Sequence, residues 1–131
     1  MKKVLFVCVE NAGRSQMAEA FAKHYGKNKV EAESAGTMPS SEVNPRVVQV
    51  MREKGIDLSG NKPKLVTGQM VQKADMIIVM GCSAEGFCPD PLLNKVIDWG
   101  IEDPKGKSIE KVREIREEIE RRVKKLIEEL T

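Results

Sequence analysis

The segment Lys3-Val4-Leu5-Phe6-Val7-Cys8-Val9 constrains this chain more than any other. It is a near-continuous β-branched and aromatic run, the pattern of a strand buried on both faces, and such strands lie in the middle of parallel sheets covered by helices. After a loop from Glu10 to Gly13, the residues from Ser15 to Tyr25 place Met17, Ala18, Phe21 and Ala22 at helical spacing, and Gly26 ends the pattern. A strand, a short loop and a helix in direct succession imply that further strands join in parallel beside the first.

The remaining chain supplies those strands. Val30 to Ala35 reads as a second short strand, and the Gly/Pro/Ser-rich stretch from Gly36 to Val43 as loop. Asn44 caps and Pro45 opens a helix that carries Val47, Val48, Val50 and Met51 and closes at Gly55. Thr67 to Lys73 is a third helix, Asp75 to Met80 a third strand, and Val96-Ile97-Asp98 a short fourth. Ser108 to Leu130 forms a long helix with Ile109, Val112, Ile115, Ile119, Val123, Leu126 and Leu130 on one face and a dense, solvated face of Glu, Lys and Arg opposite. The expected fold class is α/β: one domain over residues 1–131, a four-stranded parallel sheet with helices on both faces. Ligands bind such sheets beyond the carboxyl ends of the strands. Cys8 ends the first strand, Cys82 follows the third and Asp103 follows the fourth, so all three belong on one rim.

Whole-chain properties narrow the function. With 131 residues and 40% hydrophobic composition, the chain can bury one core without disulfides or metals. A formal charge of +2, with acids and bases interleaved, argues against a nucleic-acid partner. No stretch approaches the roughly eighteen apolar residues needed to span a bilayer, and the N-terminal run breaks at Glu10 and Asn11 with no cleavage site behind it. A cytoplasmic monomer without membrane contact is expected. Three cysteines, Cys8, Cys82 and Cys88, are an odd set with no secretion signal, which points to redox or nucleophilic roles. The only histidine, His24, falls near the end of a helix as a surface residue, which removes Ser-His-Asp and Cys-His catalysis. Three thiols are one short of the usual zinc set, so neither a metal nor a cofactor is expected.

The chemistry concentrates in Cys8-Val9-Glu10-Asn11-Ala12-Gly13-Arg14-Ser15, a cysteine, five residues, an arginine and a serine set between strand and helix. A five-residue turn entering a helix N-terminus can aim the backbone N–H groups of Val9, Glu10, Asn11, Ala12 and Gly13 inward as an anion cradle. Gly13 lets the backbone close up, and Arg14 completes the cradle with a planar fork that fits two oxygens of a tetrahedral oxyanion. The same positive field favours a Cys8 thiolate, to which the Ser15 hydroxyl can donate. The Asn11 amide is suited to bracing the loop rather than touching substrate.

At these residues the sequence resembles the low-molecular-weight protein tyrosine phosphatase superfamily, and the likeness runs nearly the full length through Arg14-Ser15-Gln16-Met17-Ala18-Glu19, Ser34-Ala35-Gly36, Gly55-Ile56-Asp57-Leu58-Ser59 and Asp103-Pro104. The resemblance implies that Asp103 is the general acid, supplying the proton without which an alkoxide or hydroxide leaves poorly. Within the superfamily, Gly81-Cys82 through Cys88-Pro89 and Asp98 through Gly106 resemble the thioredoxin-coupled arsenate reductases. Tyrosine phosphatases of this family usually carry aromatics beside the acid, and none adjoins Asp103. That branch implies a thiol relay. Cys8 attacks arsenate, Cys82 attacks Cys8 and releases arsenite, and Cys88 displaces Cys8 to leave a Cys82–Cys88 disulfide for thioredoxin or a similar dithiol. Lys64 stands about where some relatives bring a carboxylate to a structural potassium site, although Asn11, Glu19 and Ser34 match, and no metal is assigned. Two alternatives stand beside the reductase: a phosphatase using Cys8, Arg14 and Asp103 through a cysteinyl-phosphate, and a non-catalytic oxyanion or redox sensor.

Overall fold

A computed structural model describes residues 1–81 and 95–130. Its first strand, β1, runs Lys2–Cys8, followed by helix α1 (Arg14–Tyr25), strand β2 (Val30–Gly36) and helix α2 (Pro45–Arg52). Helix α3 (Gly68–Lys73), strand β3 (Met76–Val79), strand β4 (Val96–Asp98) and helix α4 (Ile109–Leu130) complete the chain. The four strands form one sheet in the order β2-β1-β3-β4, every neighbouring pair parallel. β1 is central, as its unbroken apolar run requires, because a strand paired on both sides and covered on both faces offers water no edge. The ladder between β1 and β2 ends at Cys8 opposite Gly36, so Val9 lies beyond the strand and the loop begins at the cysteine itself.

Alternation along β1 divides the core in two. Val4, Phe6 and Cys8 enter a large cluster with Met17 and Phe21 of α1, Val47 and Met51 of α2, and Ile115 and Ile119 of α4. Leu5 and Val7 face the other way, with Ala35, Ile77 and Val79, against Met70 and Val71 of α3. Among the described residues, helices cover both faces, three on one side and one short helix on the other. Asn44 caps α2 by accepting from the Arg46 N–H at 2.9 Å, and Thr67 caps α3 by accepting from Met70 N–H at 3.2 Å. Among the described residues no helix is long and apolar enough to cross a membrane.

One expectation for α4 changes. The charged side of the helix is not wholly solvated, because Arg116 and Glu120 are buried beside the apolar stripe. Each is satisfied there. Arg116 Nη1 donates to the Val50 carbonyl at 2.9 Å and to Glu53 at 2.6 Å, while Arg113 contacts the same carboxylate at 2.8 Å. Tyr25 donates to Glu120 at 2.5 Å, and Lys54 lies 3.2 Å from it. Charged side chains inside a helix interface persist when paired in this way, and they lock α4 to α1 and α2 in one register. The chain's only tyrosine is therefore committed to this seam.

Hydrogen bonds from Arg113, and next from Arg116, pull the Glu53 carboxyl down to about 2. A carboxylate depressed in the folded state stabilises it above the ordinary value of 4.5, and that contribution disappears as pH falls from 4.5 toward 2. Wild-type protein is therefore expected to lose more thermal stability between about pH 6 and about pH 3 than Glu53→Gln, as scanning calorimetry would read it. Equal acid slopes for the two proteins would mean that the Glu53 pairs do not hold the α2–α4 contact.

Candidate active site

Cys8 sits at the carboxyl end of the central strand, 5% exposed, and carries no disulfide. The loop after it is held from outside. The carbonyls of Cys8, Val9 and Glu10 accept N–H groups of Thr37, Met38 and Ser40 at 3.2, 2.8 and 3.0 Å, and the Ala12 carbonyl accepts from Asn44 at 2.9 Å. The same Asn44 that caps α2 thus also holds the loop.

From inside, the brace is Asn11. Its backbone is left-handed at φ 52, a conformation asparagine tolerates better than other non-glycine residues. The side chain is fully buried and bonds in four directions. Oδ1 accepts the Lys64 backbone N–H at 2.9 Å and Gln16 Nε2 at 3.1 Å, and Nδ2 donates to Ser15 Oγ at 2.7 Å and Ser34 Oγ at 3.1 Å. The Lys64 N–H can only donate, which fixes the amide orientation and hence every direction beyond it. Ser34 accepts from Asn11 and donates to Glu19, itself bound by Lys23 at 2.6 Å and 3.8 Å from Lys64. Ser15 also accepts from Asn11, so its own proton is available to the Cys8 sulfur 2.8 Å away. The structure thus places the Asn11 amide against four neighbours of the loop and the Ser15 hydroxyl against the Cys8 sulfur.

Arg14 opens α1 and is 4% exposed. Its Nη1 donates to the Met80 carbonyl at 3.1 Å and the Ile101 carbonyl at 3.0 Å, residues just past β3 and β4. Its Nη2 faces Asp103 Oδ2 at 3.7 Å. Half of the guanidinium is thus spent gripping the rim, and the other half is turned toward the acid. Asp103 is half-exposed and accepts its own loop's Lys105 N–H at 3.0 Å. Pro104 closes on the loop at Gly13, where a β-carbon would lie 2.9 Å from Pro104 Cγ and force one of the two segments to shift. Gly81, at φ 140, adopts a backbone that side chains disfavour, just where the chain leaves β3 for the cysteine segment.

Cys8, Glu10, Ala12, Gly13, Arg14 and Asp103 line one cavity of about 230 Å³. That is below the roughly 300–1,000 Å³ of sites for drug-sized ligands. No aromatic side chain lines it among the described residues. Val9, Asn11 and Ser15 do not line it, and Cys82 and Cys88 lie outside the described residues. Sequence reasoning missed the wall formed by Ser40, Ser41 and Glu42, and it missed Lys105, whose ammonium lies 2.8 Å from Glu10. A basic residue two positions after Asp103 was the available signal for the latter. Among the described residues no cluster of histidine, cysteine and carboxylate side chains could hold a metal ion.

The sequence model of the family described as low molecular weight phosphotyrosine protein phosphatase matches residues 3–131. The chain is 38% identical to a glutaredoxin arsenate reductase of Synechocystis, covering all of both chains. It superposes at a TM-score of 0.89 on an arsenate reductase solved in a phosphate binding state, with 38% identity and full coverage of both. The arginine phosphatase YwlE of Geobacillus stearothermophilus superposes at 0.87 with 28% identity, over 99% of this chain and 93% of that one.

Truncating Asn11 leaves several buried partners without a bond and puts alanine in a left-handed backbone. Asn11→Ala should therefore lower unfolding free energy by on the order of 3 kcal/mol. It should also abolish phosphate binding, as denaturant melts and calorimetry would record. Retained stability together with retained binding would remove Asn11 as the brace.

Proposed function

The chain belongs to the low molecular weight phosphotyrosine protein phosphatase family, and from that premise we propose that it is an arsenate reductase in which Cys8 is the nucleophile and a dithiol protein the final reductant. One observation carries this reading: a Cys8 sulfur hydrogen-bonded by Ser15 at 2.8 Å shares a small cavity with Arg14 and Asp103, and no aromatic side chain among the described residues lines it. Such a site suits a compact tetrahedral oxyanion better than a phosphorylated ring.

The chemistry follows from these positions. The carbonyl edge of the loop is occupied by residues 37–44, so the backbone N–H groups from Val9 to Gly13 are the edge that meets an anion, beside the N-terminus of α1. The Cys8 sulfur attacks arsenic, and Asp103 gives its proton to the departing hydroxide, which leaves as water. Arg14 faces Asp103 across 3.7 Å and offsets the charge that builds between them. Cys82 then attacks the Cys8 sulfur. A Cys8–Cys82 bond forms, and the sulfur–arsenic electron pair stays on arsenic, which departs as arsenite. Cys88 attacks Cys82 and expels the Cys8 thiolate, leaving a Cys82–Cys88 disulfide that thioredoxin or a related dithiol reduces. The balance is arsenate plus one dithiol to arsenite, one disulfide and water.

A phosphatase is the second reading, favoured by the fact that Cys8, Arg14 and Asp103 alone suffice for a cysteinyl-phosphate and its hydrolysis. We place the protein in the cytoplasm as a single-domain monomer.

The deciding experiment incubates reduced protein with arsenate, NADPH and a dithiol reductant (thioredoxin with its reductase, or glutaredoxin with glutathione and glutathione reductase), and runs hydrolysis of an aryl phosphate in parallel. Rapid NADPH loss with slow hydrolysis supports the reductase, and the reverse supports the phosphatase. Cys8→Ser should remove both activities while keeping oxyanion binding, because the alcohol stays protonated near neutral pH and attacks poorly. Substantial turnover by that variant would sink the covalent mechanism. Cys82→Ser should keep any phosphatase activity and release no arsenite. Cys88→Ser should complete about one turnover and stall with Cys8 joined to Cys82, visible in tryptic peptides by mass spectrometry. If both variants cycled at the wild-type rate with the dithiol protein, the relay would be wrong.

A further inference from the structure

The cavity that must admit an anion carries an anion of its own. Glu10, in the middle of the oxyanion loop, lines the wall beside Cys8, Ala12 and Gly13. An unpaired carboxylate there would oppose a doubly charged oxyanion at close range. It is paired: Oε1 lies 2.8 Å from the ammonium of Lys105, which lines the same cavity from the loop that carries Asp103. Glu10 is the main cause of the raised affinity of Lys105 for its proton, and Asp103 adds to it.

Two further contacts seat this acid loop, Pro104 against Gly13 and a hydrogen bond from Arg46 to the Lys107 carbonyl. Neither changes the charge that an entering anion meets. The ion pair does. It is also exposed, with side-chain exposures of 69% for Lys105 and 34% for Glu10, so folding stability gives little reason for it. Its position, bridging the two walls of the mouth, is what distinguishes it from the other surface pairs.

We propose that Glu10 and Lys105 form a charge-compensated clasp across the mouth of the Cys8 cavity, a specificity-determining pair that sets its affinity for small inorganic oxyanions. Lys105 cancels the carboxylate that would repel the anion. Glu10 in turn restrains an ammonium that would otherwise hold the anion too tightly. This proposal rests on the reading of the Cys8 cavity as an oxyanion site.

The test is made on binding alone, in the Cys8→Ser protein, with inorganic phosphate and inorganic arsenate titrated by calorimetry at low salt. Lys105→Gln exposes the carboxylate and is expected to weaken both anions by about three- to tenfold, whereas Glu10→Gln frees the ammonium and is expected to tighten them by about two- to fivefold. The exchanged pair Glu10→Lys with Lys105→Glu should return to within about twofold of the parent. In about 0.5 M sodium chloride the two single shifts should shrink together. A clasp that merely held structure would weaken binding in both single variants, and shifts of the same sign would overturn the proposal while leaving the oxyanion site standing. Failure of the parent protein to bind either anion would overturn both.

Discussion

The site depends on the buried amide of Asn11. A loop able to direct its N–H groups at an anion has turned its carbonyls elsewhere and holds one residue in a left-handed conformation, and neither condition maintains itself. The Asn11 side chain supplies the restraint by joining α1, β2 and the segment before α3 through four hydrogen bonds. Because one of its donors is a backbone N–H, the amide has a single orientation, and that orientation passes outward to Ser34 and Glu19 on one side and to Ser15 and Cys8 on the other. The position from which the Ser15 hydroxyl meets the sulfur is thus set several residues away from the sulfur.

A second constraint comes from the order of the strands. With β1 between β2 and β3, the end of the central strand is surrounded by the ends of its neighbours, and Arg14 gathers them. Its Nη1 holds carbonyls that follow β3 and β4, and its Nη2 approaches Asp103. An arginine buried in this way ties two strand ends and faces a carboxylate at once, which an ammonium, lacking the planar fork, could not reproduce. The segment carrying Asp103 and Pro104 then closes on the loop after Cys8 where Gly13 lacks a side chain. The resulting cavity is small and brings Cys8, Arg14 and Asp103 into one space.

Much of this was legible in the residues. The unbroken run from Lys3 to Val9 pointed to a central strand. Asn44-Pro45 marked the start of α2, and the spacing of Val112, Ile115, Ile119 and Val123 marked the buried stripe of α4. Cys8, Arg14 and Ser15 were legible because the motif places them within one turn of each other. The readings were weaker where partners are distant in sequence. Arg116 and Glu120 look like solvent-facing charges until Glu53, Lys54 and Tyr25 are brought against them. Lys105 likewise looks like a loop lysine until Glu10, far earlier in the chain, is found beside it.

The division has a physical reason. Hydrophobic periodicity, caps and a cysteine at a strand end express interactions over a few residues, so the sequence by itself determined the parallel α/β fold and the place of Cys8 at the end of its central strand. Hydrogen-bond direction and charge compensation depend on which groups from separate segments come within about 3 Å of each other, and that is set by how the helices and loops pack. Only the tertiary structure therefore decided that Asn11 orients Ser15 toward the sulfur, that Arg14 spends half its fork on the rim, and that the carboxylate of Glu10 is answered by Lys105.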